Sequence, residues 1–263
     1  PGDGKTAKFG SWIAMNAFLT EYGTAWNGND FEVEQIQRYA KRIADSWPDS
    51  TEAVEANYRL VVFAIMQGDV DGALGYLNGI PEESPRRGKA ELTTGQSLWN
   101  KYATSLYLAD DDENKLPKDK LARILAEAEK VLVAGIKRME ATGKVESNLV
   151  AAAYSLAQLY AGSDRYLEAI SRFENPDYGA LTLVHKDDPI AKDGNYGEKT
   201  RRLALRSYIS SLPKVTDAAK RQKLLDNAMK MVDELEKAIG KNDQGGERLT
   251  QMFIELGADL KKQ

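Results

Sequence analysis

The chain has 263 residues, with 40 Asp and Glu against 36 Lys and Arg, a net charge of −4, no cysteine and one histidine. Without cysteine there is no thiol nucleophile, disulfide, iron–sulfur ligation or thiolate-bound zinc, and a single histidine removes the two-His metal helices. The acidic balance argues against nucleic-acid binding, and no apolar run approaches the roughly 18–20 residues that span a bilayer.

A Ser–His–Asp arrangement formally survives these counts, as does catalysis by carboxylate, lysine or tyrosine. The chain begins Pro1-Gly2-Asp3-Gly4 with no initiator Met. It therefore reads as a fragment or mature form of something longer. Its localisation stays open. A Cys-free composition is compatible with export without showing it.

Helical periodicity runs through the chain. Residues 7–22 place Phe9, Ile13, Phe18 and Leu19 near one stripe, with Trp12 and Met15 beside it. Asp30 is expected to cap a helix reaching Trp47, with Phe31, Ile36, Tyr39, Ala40 and Ile43 facing inward. Pro48 stops it, because the residue before a proline is pushed out of the α region. The next helix covers about 52–66 and ends at Gly68. Asp69 then caps a short helix to about 78. Ser84-Pro85 reads as an N-cap with proline in the first helical position, opening a long helix through Leu106.

The acidic run Asp110–Glu113 breaks the pattern, and Pro117 opens a helix to about 140. Gly143 separates it from a helix over 146–161. Asp164 is expected to start a shorter helix that ends before Asn175-Pro176. Residues 174–197 read as an irregular insert, in which Leu181–Val184 is the one candidate strand. Four residues alone cannot make a sheet. Helices return over about 198–212, 217–239 and 247–261, punctuated by Pro213 and Gly240. The expected fold class is all-α, built from antiparallel helix pairs with short turns.

The pairs repeat. Leu60-Val61-x-x-Ala64, Gly68-Asp69, Ala73-x-x-x-Leu77 and Pro85 form one set. Leu156-Ala157-x-x-Tyr160, Tyr166 and Ala169-x-x-x-Phe173 form another. Gly95 and Leu98 each lie 34 residues after their counterparts Val61 and Ala64. Ile36 and Pro48 keep the spacing of Ala73 and Pro85. Small residues let two helices approach, larger ones fill the groove beside them, and stacked pairs share a continuous core.

On these positions the chain resembles the tetratricopeptide-repeat (TPR) superfamily over about two thirds of its length. The motifs are degenerate. Asn57, Glu91 and Ala153 stand where each unit's leading Trp belongs, and Tyr107 stands where a small residue belongs. The resemblance implies a right-handed α–α superhelix, a single TPR-like domain over 1–263.

It also implies that the first helix of each pair lines a concave face that holds a partner segment. Carried over by position, that lining includes Glu55, Tyr58 and Val62, then Lys89, Gln96, Trp99 and Asn100, then Tyr154 and Gln158. Aromatic, amide and charged groups together suit partner recognition. Tyr58 and Trp99 read equally as core residues of irregular units. Tyr58, Val62, Leu92 and Gln96 stand where the family's carboxylate-gripping sites carry Lys and Asn, which argues against that kind of tail binding.

Other candidates are weaker. His185, beside Lys186 and Asp187, reads as a solvated loop histidine. The run at 110–113 lacks the order and distal Glu of a calcium loop. Glu82-Glu83 and Glu127/Glu129 give no reason for an acid/base pair. Arg86-Arg87 with Lys89 reads as the solvated first turn of a helix. No residue pattern points to a cofactor or metal.

The leading expectation is a non-catalytic scaffold for a protein or peptide partner, with no nucleic acid and no membrane span. One alternative is a carboxylate-dependent, carbohydrate-active enzyme of helical-toroid type. Another is a structural domain that packs against the rest of its own chain, for which the stripe Leu249, Phe253, Ile254, Leu256 and Leu260 would serve as a contact.

Overall fold

The computed structural model describes residues 4–24, 30–110, 112, 115–192, 195–239, 246–247, 249–251, 253–254 and 257. Among them every regular element is a helix, as the periodicity predicts. One compact unit, Pro1–Lys144, holds α1 (Lys5–Thr24), α2 (Asp30–Ser46), α3 (Thr51–Met66), α4 (Val70–Asn78), α5 (Arg87–Tyr107) and α6 (Lys118–Glu140). The other, Val145–Gln263, holds α7 (Ser147–Gly162), α8 (Tyr166–Phe173), α9 (Ala180–His185), α10 (Tyr196–Ser211) and α11 (Ala218–Ile239).

In the first unit each helix from α1 to α4 packs on the next, α3 also meets α5, and α5 lies along α6. The punctuation is local chemistry. Ser50 Oγ accepts from the Ala53 N–H at 3.2 Å and opens α3. Gly68 ends it in the left-handed region at φ +71°, where a side chain would be strained. Asp69 Oδ1 then takes the Gly72 N–H at 2.9 Å to start α4. Met15, Ile36, Ala40, Ile43, Ala56 and Leu60 form one core cluster. Val61, Leu77, Ile80, Ala90 and Val131 form another.

Three expectations in this unit change. The inner stripe of α1 is rotated: Met15 is buried and Trp12, Phe18 and Leu19 lean on the core, whereas Phe9 and Ile13 are exposed. Phe31 is exposed as well. The long helix starts at Arg87 rather than beside Pro85. Ser84 Oγ accepts from the Arg86 N–H in a tight turn, and the delay places Arg87 to donate to the Leu77 and Ile80 carbonyls at 2.6 and 2.8 Å. Those carbonyls belong to the end of α4 and its exit, so one guanidinium fastens the turn.

Asn57, Glu91 and Ala153 are all buried, the first two as polar anchors and Ala153 as a small filler. Asn57 Nδ2 donates to the Gly79 carbonyl at 3.1 Å. Tyr107 is 91% exposed, so the last turn of α5 carries no packing that would demand a small residue there.

In the second unit α7 packs on α8, α8 on α10 and α10 on α11, with α9 against α8 and α10. Leu149, Leu156, Tyr166, Phe173, Leu205 and Tyr208 are buried. Asp164 does not open α8. It follows α7 in the left-handed region at φ +58° and accepts from the Tyr166 hydroxyl at 2.7 Å. The 174–197 segment is more ordered than its composition suggests. It holds α9 and a 3-10 turn, Pro189–Ala191. Leu181–Val184 is therefore helix, not strand: Gly179 lets the backbone close against Asn175, and Leu181 and Leu183 are buried. Gly240, Leu256 and Leu260 lie outside the described residues. Phe253 and Ile254 are exposed.

Candidate functional site

Six of the expected groove residues sit at turns of α3 and α5 that neither face the core fully nor stand free. Glu55, Tyr58, Lys89 and Gln96 are half-buried, as are Val62 and Trp99, and Asn100 is exposed. None of them belongs to the buried core. Tyr58 packs against the Val61–Leu77 cluster.

Glu55 is the hub. Its carboxylate takes Arg59 at 2.9 Å from the next turn of α3 and Arg86 at 2.7 Å from the start of α5. Both guanidinium groups lie over the Tyr58 ring, Arg86 at 5.3 Å and Arg59 at 5.9 Å. The Arg59 Nε is enclosed and has no hydrogen-bond partner among the described residues. Two cations share one carboxylate and one aromatic face, which leaves the cluster with a positive surplus. Arg86 is thus engaged across two helices rather than being a solvated first-turn residue. Further along α5, Trp99 stacks on Tyr102 at 5.7 Å and 27°.

Tyr154 and Gln158 belong to the other unit, one turn apart on α7, both half-buried. The Tyr154 ring leans on Tyr196 of α10 at 5.3 Å. Burial pushes both hydroxyls up, each to about 12, so both are neutral donors. The Tyr196 hydroxyl and the Thr200 Oγ1 are enclosed, and the Thr200 hydroxyl lies close enough to both tyrosines to oppose part of the upward shift.

No family model, curated protein or solved structure matches this chain.

A second cluster, in the Val145–Gln263 unit, has no motif in the sequence. Glu234 of α11 takes Arg201 of α10 at 2.9 Å and His185 of α9 at 3.0 Å. The histidine expected to be solvated is therefore paired. Beside it lies a cavity of about 290 Å³ that Glu174, Thr182, His185, Tyr208, Asn227 and Lys230 line. Glu174 Oε1 accepts from the buried Tyr208 hydroxyl and from Asn227 Nδ2 at 3.3 Å. His185 and Glu234 stand 49 positions apart, and no local signal links them. Only the packing of three helices joins them.

Burial raises the Glu234 carboxyl, but the Arg201 hydrogen bond and the His185 charge and hydrogen bond outweigh it, so the group is held below the ordinary 4.5. A lowered folded-state value means that its stabilising contribution is complete above that ordinary value. The contribution is lost as pH falls through the lowered one. Glu234→Gln is expected to flatten the acid limb of a stability-against-pH curve followed by circular dichroism. An acid limb as steep as that of the wild type would assign the effect elsewhere.

In the acidic run, Asp110 pairs with Lys115 at 2.7 Å. Asp111 and Glu113 lie outside the described residues. Among the described residues no group of three His, Asp or Glu is placed to hold a metal ion, and no helix is long and apolar enough to cross a membrane.

Proposed function

We propose that the chain is a non-catalytic scaffold of TPR-like helix pairs that holds a protein or peptide partner on the faces of its first helices. The carrying observation is the Glu55–Tyr58–Arg59–Arg86 cluster. It joins the first helices of two consecutive pairs, α3 and α5, and stays half-exposed. The stacking logic of the family supports the reading: α3 meets both its own partner α4 and the next first helix α5, and α7 meets both α8 and α10. Arg and aromatic groups at the centre of a half-buried patch are the residue types that carry binding energy at interfaces.

Pull-down with the full chain, repeated for Trp99→Ala and Tyr154→Ala, tests this. Each truncation is expected to weaken capture of the retained partner, by about tenfold where the ring is a hot spot. Unchanged capture in both variants would remove the first-helix faces as the site.

The carboxylate-enzyme reading would use Glu174 and Glu234 around the cavity of the second unit. Glu234, held ionised by Arg201 and His185, does not suit the general-acid role that such a mechanism needs.

A further inference from the structure

Helix α1 has two apolar sides, and the fold uses one. Met15 is buried, and Trp12, Phe18, Leu19 and Tyr22 lean on the core that it shares with α2 and α3. On the opposite side Phe9 is 62% exposed and Ile13 51%, with Gly10 and Ala17 open beside them. A helix at a surface carries its apolar residues in one stripe, whereas a helix that is apolar all round is a covered one. Gly10 is a separate sign. It lies in ordinary helical backbone, a Cβ there would meet nothing within 4 Å, and glycine weakens a helix interior. No described residue of this chain needs the missing side chain, so its use is the close approach of something outside.

The open side is its own complement when the helix is reversed. Ile13 is the centre. Phe9 and Ala17 lie four residues before and after it, Thr6 and Thr20 seven, and Lys5 and Glu21 eight, and all six are exposed. Steps of four, seven and eight keep to one face of a helix. Two copies of α1 laid antiparallel about Ile13 therefore set Phe9 of each level with Ala17 of the other, a large side chain against a small one. Gly10 leaves room beside the central pair. The basic Lys5 end comes level with the acidic Glu21 end, and the two helix dipoles oppose. The same copies laid parallel would set Phe9 on Phe9 and Lys5 on Lys5. Lys8 takes no part, since it pairs with Glu52 at 2.9 Å.

We propose that this face docks on a second copy of the chain, as a two-fold symmetric, antiparallel pair of α1 helices. One pair of 20-residue helices, each about 30 Å long, buries less than the roughly 1,200 Å² of a standard interface. The dimer is therefore weak and exchanges readily, forming at concentrations on the order of 100 μM. It brings two groove-bearing chains together, so a partner with two binding segments gains avidity. The pairing of α1 does not depend on the groove reading.

Sedimentation equilibrium of the full chain, over about a hundredfold range around that concentration, is the first test. The mean mass is expected to rise from that of one chain toward that of two. Ile13→Glu puts two like charges on the two-fold axis. It is expected to keep the circular dichroism spectrum, since the position is exposed, and to weaken the dimer by more than about tenfold. Because the chain has no cysteine, disulfide trapping reads the register. A mixture of Phe9→Cys and Ala17→Cys chains is expected to form linked dimers under mild oxidation faster than either variant alone. A chain that stays monomeric throughout would overturn the proposal and leave the face to a different protein. So would an Ile13→Glu variant that associates as the wild type does, or a mixture that traps no faster than its components.

Discussion

Glu91→Ala is expected to lower the unfolding free energy of the first unit by about 3 kcal/mol, the low end of the range for breaking a buried ion pair from one side. Glu91 is 2% exposed. Its two oxygens are divided between two guanidinium groups: Oε1 takes Arg87 Nε at 2.8 Å and Oε2 takes Arg138 Nε at 3.0 Å. Arg87 also holds the end of α4 through two carbonyls. Arg138 of α6 reaches the Glu82 carbonyl at 2.7 Å. One carboxylate therefore ties α4, α5 and α6. Removing it leaves two cations on a desolvated seam. The loss stays below the upper end of the range because the Arg138 side chain is 30% exposed and can regain water. Glu82→Ala is the control. Its carboxylate is 78% exposed, and its loss should change stability by less than about 1 kcal/mol. Urea titrations of both variants at unchanged m would separate them. A Glu91→Ala loss no larger than that of Glu82→Ala would mean that the knot is incidental.

The same residue shows what the sequence could and could not disclose. Glu91 was legible as the wrong residue at a Trp position, and nothing in its neighbourhood names its use. Arg87 lies one turn away, but Arg138 lies 47 positions on. Helix ends were legible where one residue decides them alone, as with the Asp69 cap, the left-handed Gly68 and Gly143, and Pro117 before α6. They failed where a tertiary contact decides. Ser84-Pro85 has the chemistry of a helix start, yet the demand of the Leu77 and Ile80 carbonyls for Arg87 delays it. Leu181–Val184 is a short apolar run, and periodicity over four residues does not separate strand from buried helix.

The candidate site divides in the same way. The positions of Tyr58 and Trp99 followed from repeat spacing, because a helical register is a local property. The partners that give Tyr58 its chemistry did not: Glu55 and Arg86 are 31 residues apart and meet only because α3 and α5 pack side by side. The His185–Glu234–Arg201 cluster lies further from reach, since it needs α9, which the sequence reads as irregular, and two long helices in register. Tyr154 was visible as a residue and Tyr196 was not, and their neutral hydroxyls arise from the packing of α7 on α10.

Gly135→Val is expected to destabilise the first unit by about 3 kcal/mol, at the upper end for overpacking. A Cβ on Gly135 would stand 2.9 Å from the Glu91 Cβ, the Leu92 Cδ2 and the Leu92 backbone nitrogen. A leucine tip can turn away, whereas a helix backbone cannot. The arrangement is reciprocal, since a Cβ on Gly95 would meet Leu132 at 2.7 Å at Cγ and 3.0 Å at its backbone nitrogen. Each helix thus seats a leucine of the other over a missing side chain, and α5 and α6 approach closely at these two glycines. Gly75→Ala in α4 provides the opposite sign. Its added Cβ meets nothing within 4 Å, so the exchange should stabilise by about 0.5–1 kcal/mol through helix propensity and a less disordered unfolded chain. Chemical denaturation of both variants checks the pair, and a Gly135→Val loss under about 1 kcal/mol would show that the two helices can separate cheaply. Because a side chain at Gly135 would push α6 from α5 and draw Arg138 away from Glu91, the Gly135→Val and Glu91→Ala effects should not add. The ionic knot and the close helix approach are one feature: α6 must come this near for Arg138 to reach Glu91.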